Sequence, residues 1–149
     1  MVKKFFGKRS KIVSVLLTII WIAGVLHLVK SHPTDTHEKF TRMQADIDNL
    51  LKVGGTVIDR SENFKYGSAY VLLVMSETGW SQELMSKFDV ELKERQWVKH
   101  PVLDAYCLDG MQIVVRRHTG MHNGVGTNFV GATYDASTIK QCSEASREN

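Results

Sequence analysis

Cys107 and Cys142, the pair His118 and His122, and the aromatic residues Tyr70, Trp97 and Phe129 are the side chains of this 149-residue sequence whose types and spacing could do chemistry. The two cysteines are the only ones, and in an oxidising compartment the default fate of such a pair is a disulfide. A bridge closing that loop stabilises a fold by about 3–4 kcal/mol. Two free thiols are the alternative, which only geometry decides. His118 and His122 stand four apart, the separation that on a helix offers two metal ligands, but Gly120, Gly124 and Gly126 argue for a loop, so no metal site is expected. His32 and His37 fall in a polar stretch and read as solvated. Tyr70, Trp97 and Phe129 are candidates either for the core or for the lining of a ligand pocket.

Signatures of catalysis do not assemble. There is no G-x-S-x-G, no cysteine–histidine pair with an orienting group, and no glycine-rich phosphate loop leading from a strand into a helix. The acidic residues are scattered over helix faces and turns rather than paired. No catalytic, cofactor-binding or metal residues are therefore expected, and an enzyme is not the leading expectation.

Charge is distributed unevenly. Lys3, Lys4, Lys8, Arg9, Lys11 and Lys30 are the only charged residues of the first thirty, while the remainder holds 13 basic and all 16 acidic residues. The basic pI of about 8.9 thus belongs to a terminal flank and not to a folded binding face, which sets nucleic acid aside. Between the flanking lysines runs Ile12 to Val29, eighteen uncharged residues broken only by Ser14, Thr18 and His27. At a rise of about 1.5 Å per residue a helix here reaches about 27 Å, close to the thickness of a bilayer's hydrocarbon layer. The sequence predicts a transmembrane helix over 12–29, and the excess of basic residues before it places the N-terminus in the cytoplasm. A cleaved signal peptide is the competitor, with Val29-Lys30-Ser31 as its passable cleavage site.

The elements that must position the candidate residues follow from periodicity. Residues 30–37 read as a tether. Phe40, Met43, Ile47, Leu50 and Leu51 recur at helical steps and predict a helix over 38–51, ended by Gly54-Gly55. A short strand at 56–59 and a polar turn through Arg60–Asn63 follow. The apolar run Tyr70 to Met75 predicts a central strand covered on both faces. Ser81 is placed to cap a helix over 82–95, with Leu84, Met85, Phe88 and Leu92 as its apolar stripe. Pro101 interrupts the next extended stretch, which resumes through Leu108, and Asp109-Gly110 predicts a type I′ hairpin turn before a strand over 111–117. Thr119–Gly126 reads as a glycine-rich loop and Thr127–Tyr134 as the last strand.

The expected class is therefore α+β: an N-terminal transmembrane helix, then a small antiparallel sheet in the order α-β-β-α-β-β-β with helices on one face. The expected organisation is a basic cytoplasmic tail over 1–11, the span over 12–29, the tether, a periplasmic domain over 38–142 and a polar tail over 143–149. The passage from Trp80 through the helix to Trp97 resembles the helix-then-tryptophan passage of small bacterial envelope domains of unknown function, a likeness that implies no activity. Together these readings point to a single-pass inner-membrane protein whose periplasmic domain binds the lipid bilayer only through its anchor and another envelope protein through its fold. An immunity-type protein or an envelope-assembly accessory are specific forms of that expectation. A periplasmic ligand-binding or sensing domain is the alternative, and an envelope hydrolase the reserve.

Overall fold

The computed structural model describes residues 13–25 and 35–145, apart from the side chains of residues 118, 119 and 145. The chain divides into two units at His32 and Pro33. In the first, residues 13–25 form helix α1, and every one of them is exposed. Among the described residues no helix is long and apolar enough to cross a membrane. Residues 12 and 26–29 of the expected span lie outside the described residues.

The second unit is α+β. Its elements are α2 (Thr36–Val53), β1 (Val57–Lys65), β2 (Ser68–Ser76), α3 (Gln82–Glu94), β3 (Val98–Lys99), β4 (Ala105–Leu108), β5 (Met111–His122), β6 (Val125–Tyr134) and α4 (Ala136–Ala145). The six strands form one antiparallel sheet in the order β1-β2-β6-β5-β4-β3.

Alternation along the strands builds the core. Val71, Leu73 and Met75 of β2, Val130, Ala132 and Tyr134 of β6, and Met111 and Ile113 of β5 point to one face and are buried there. Met43, Ile47 and Leu50 of α2, with Leu84, Phe88 and Leu92 of α3, cover that face. The apolar run Tyr70 to Met75 is thus covered on one side and not on both: Tyr70 remains 40 % exposed on the other face. Its neighbours Leu72 and Val74 there are half-buried. A parallel sheet buries both faces, but this strand sits in an antiparallel sheet with its large helices on one side.

Local signals explain the ends of the elements. Ser81 Oγ accepts from the Leu84 backbone N–H at 3.1 Å, as the spacing predicts. Helix α3 ends in a Schellman motif, with Gln96 N–H donating to Lys93 O and Trp97 N–H to Leu92 O. Gln96 takes the left-handed position at φ 70°, and this sharp reversal drives Trp97 into the core. Asp109 and Gly110, at φ 47° and 80°, make the predicted turn between β4 and β5.

Three expectations give way. The polar stretch Arg60–Asn63 is not a turn but the middle of β1; as an edge strand it has no buried face to demand apolar alternation, and its polar side chains meet solvent and the flank of α2. The turn lies instead at Gly67, φ 83°. The stretch Thr119–Gly126 is not a loop, because β5 and β6 continue pairing to His122–Val125 and reverse at Asn123 and Gly124, φ 50° and 80°. The segment after Tyr134 forms α4, so the helices are not all on one face: Cys107 and Gln112 share the face opposite the core, and Cys142 and Gln141 of α4 meet them there.

Helix α4 is specified by its start. Asp135 Oδ1 accepts from the backbone N–H groups of Ser137 and Thr138, and Thr138 Oγ1 accepts from the Asp135 N–H, a reciprocal box of the kind usually made with Glu or Gln.

Candidate functional site

Cys107 and Cys142 are joined by a disulfide, with their Cα atoms 5.5 Å apart. Cys107 comes from β4 and Cys142 from the second turn of α4, so the bridge fastens α4 over the corner of the sheet opposite the core. Gln112 Nε2 donates to Gln141 Oε1 at 3.1 Å beside it.

The three aromatic candidates are not brought together. Trp97 is 1 % exposed and lies in the core between α2 and α3. There it joins a charged cluster: Asp46 Oδ2 accepts from Trp97 Nε1 at 2.9 Å, and Arg95 and Arg42 reach the same carboxylate at 3.2 and 3.4 Å. Every oxygen of Asp46 is thereby engaged, which makes this carboxylate a packing element and not a free acid or base. Tyr70 and Phe129 occupy the other face of the sheet.

That second face is left uncovered by α2 and α3. Register places Leu72 beside Gly131, Val74 beside Phe129, Val114 across from Gly131 and Arg116 across from Phe129. Gly131 keeps the centre low: a Cβ there would come within 3.1 Å of the Phe129 ring, which lies down over the glycine. The Arg116 guanidinium stands 5.8 Å from the centre of that ring, in reach of a cation–π contact. Asp59, Ser61 and Asn63 of β1 extend the face with polar groups. What this arrangement offers is an apolar centre of Leu72, Val74, Val114 and Phe129 between a cation and a polar border. It holds no paired acid and base.

The histidine pair falls on β5 and not on a helix. The His118 side chain lies outside the described residues, and in a strand positions four apart stand roughly 13 Å from each other along the chain. Among the described residues no three His, Cys, Asp or Glu side chains are grouped to hold a metal ion.

Two tyrosines tie helices to the sheet by acid partners. Tyr134 donates to Asp35 at the start of α2, and Tyr106 to Asp89 of α3 at 2.7 Å. Burial, then the hydrogen bond and charge of the carboxylate, push both hydroxyls well above the ordinary tyrosine range. Asp89 is held below its usual range by hydrogen bonds from Lys93 and Tyr106. A small cleft of about 220 Å³ lies near Tyr70, lined by Phe64, Lys65, Ser68, Thr133 and Asp135, smaller than ordinary ligand pockets.

The residues that sequence reasoning missed are Leu72, Val74, Val114 and Arg116. Their alternation with the buried Val71, Leu73 and Ile113 was visible, but which set faces the helices was not. No protein-family model matches the chain, and no curated protein or solved structure is detectably similar to it.

Proposed function

We propose that this chain is a membrane-anchored, non-enzymatic module that binds another protein of the bacterial envelope, with its α+β domain on the periplasmic side of the inner membrane. The observation that carries the binding reading is the uncovered sheet face, where Phe129, Tyr70 and Arg116 surround a shallow apolar centre. Aromatic residues and arginine are the side chains that dominate protein interfaces, and an apolar patch with a polar rim is what such interfaces bury. The filled space between α3 and the sheet, closed by Phe88, Leu92 and Trp97, favours this reading over a sensing pocket there.

The anchor is supported by α1. Its exposed Val13, Val15, Leu16, Ile19, Trp21 and Val25 are spread around the whole circumference, a distribution that suits lipid better than water. Thr18 donates to the Ser14 carbonyl at 2.9 Å, which satisfies its hydroxyl within the helix, as an apolar solvent requires. The disulfide suits an oxidising compartment.

Two experiments test the proposal. Carbonate extraction of membranes, with a reporter fused after residue 149, is expected to leave the chain in the membrane pellet with the reporter active only outside the cytoplasm; a soluble chain or a cytosolic signal overturns the anchor. Crosslinked pull-down with the wild-type chain and with Phe129→Asp is expected to recover a second envelope protein with the first and not with the second. Equal recovery by both overturns the role of the sheet face.

A further inference from the structure

Strand β1 forms one border of the sheet, and among the described residues no strand pairs with its outer side. The hydrogen-bond pattern fixes which of its groups face outward. Ser76 N–H donates to Thr56 O, so Ser76, Val74, Leu72 and Tyr70 of β2 are the residues directed at β1. Their partners Asp59, Ser61 and Asn63 therefore use their backbone groups in the ladder. Arg60, Glu62 and Phe64 are left with N–H and C=O on the outer edge. The Arg60 N–H accordingly goes to the Asp59 side chain, at 2.8 Å.

An open edge of nine residues is a template for another strand. The side chains select which one. In an antiparallel pair of two identical strands the two-fold axis stands perpendicular to the sheet, so a residue on one face can only oppose another on that face. Centring the pair on Ser61 sets Arg60 against Glu62 of the other copy, Glu62 against its Arg60, Asp59 against Asn63 and Ile58 against Phe64. No like charges meet. Centring on Arg60 or on Glu62 instead sets that charge against itself, which is destabilising across strands. The favoured register also places Arg60 and Glu62, the residues with outward backbone groups, directly opposite each other as a hydrogen-bonded pair.

We infer that β1 pairs with β1 of a second copy of this chain, antiparallel and centred on Ser61, joining two six-stranded sheets into one. Helix α2 lies over β2, so two such helices stand about three strand spacings, roughly 14 Å, apart and leave room for Arg60, Glu62, Asp48 and Gln44 between them. The axis keeps both α2 helices on one face of the joined sheet. This pairing is independent of the envelope partner and of the anchor, since it uses the backbone edge of β1 and neither α1 nor the apolar centre of the uncovered face.

Ser61→Cys in the full chain tests it, because Cys107 and Cys142 are already bridged and the new thiol stands alone. Opposed residues on the axis have Cα atoms about 4.5 Å apart in a non-hydrogen-bonded pair, close enough for a disulfide. Mild oxidation of the purified chain in detergent is expected to give a covalent dimer of doubled mass, at least ten times faster than Lys87→Cys on the outer face of α3. Arg60→Glu or Glu62→Arg added to Ser61→Cys is expected to reduce the dimer to the Lys87→Cys level, and mixing the two variants to restore it as a heterodimer, since each then supplies the charges the other lacks. Circular dichroism of each variant shows that it is folded. No enhancement for Ser61→Cys, charge variants that still dimerise alone, or a mixture that does not recover, overturns the proposal.

Discussion

The indole Nε1 of Trp97 donates to Oδ2 of Asp46 at 2.9 Å, across the junction of α2 and α3. Both side chains are inaccessible, so this bond replaces water that neither could otherwise reach. Arg95 and Arg42 neutralise the carboxylate, and Arg42 Nη2 also reaches the Arg95 carbonyl at 3.4 Å.

Asp46→Ala should cost about 3–5 kcal/mol, because it strands an indole N–H and leaves two guanidinium groups without their shared partner. Asp46→Asn keeps an acceptor for Trp97 and should cost less than half as much. Urea unfolding followed by tryptophan fluorescence measures both; equal losses would mean that the acceptor for Trp97 contributes nothing beyond the charge.

Gln96 is strained in its left-handed conformation, φ 70°, but that conformation is what aims Trp97 inward. Gln96→Gly should raise stability by about 0.5–1 kcal/mol, the relief of strain being partly offset by the greater freedom of glycine when unfolded. A fall in the urea midpoint would contradict this.

These features show where the sequence was readable and where it was not. Ser81, Asp109 and Gly110 act through their immediate neighbours, so the cap of α3 and the β4–β5 turn could be read directly. Phe40, Met43 and Ile47 mark α2 because a buried face repeats at 3.6 residues. The start of β1 was legible at 56–59, but its continuation escaped because an edge strand carries no buried period, and Arg60 and Glu62 look like a turn until the flank of α2 is known. α4 escaped because its capping box uses Thr138 in place of Glu or Gln. The uncovered face could not be read at all from β2 alone: Leu72 and Val74 are as apolar as Val71 and Leu73, and only the placement of α2 and α3 tells the two sets apart.

The cap of α4 gives a pH-dependent prediction. Burial alone would raise the Asp135 carboxyl, but hydrogen bonds from the Ser137 hydroxyl and from the Thr138 and Ser137 N–H groups outweigh it and hold it below the ordinary range. A depressed folded value means that the stabilisation is present above about pH 4, the unfolded value, and is lost as the pH falls through the folded one. Asp135→Ala should therefore cost about 1 kcal/mol at pH 7 and progressively less on acidification toward pH 2. A difference independent of pH would show that the charge is not involved.

Two hairpin glycines allow strain and contact to be separated. Gly110 and Gly124 both lie at φ 80°, yet a Cβ at Gly110 would stand 2.9 Å from Ile139 of α4, while one at Gly124 would meet nothing. Gly124→Ala should cost about 1 kcal/mol through its backbone alone, and Gly110→Ala about 1–2 kcal/mol more. Equal costs in thermal unfolding would mean that α4 yields freely at Ile139.

Removing the disulfide by Cys107→Ser with Cys142→Ser should cost about 3–4 kcal/mol. The loss should appear first at α4, as faster amide exchange over residues 136–145 than in β5 or β6. Uniform acceleration throughout the domain would show that the helix and sheet open only together.

The strand order has a consequence for how the domain is assembled. β1 with β2, and β4 with β5 and β6, are neighbours along the chain and can zip up from their own turns, but the two groups touch in the sheet only along the β2–β6 seam, from Ser76 beside Thr127 to Ala69 beside Tyr134. Closing that seam requires a long stretch of chain, including all of α3, to be looped out beforehand, and such distant closure is what slows folding. The seam therefore sets the tempo: its amides should be the last to gain protection after dilution from denaturant, well behind the hairpins on either side.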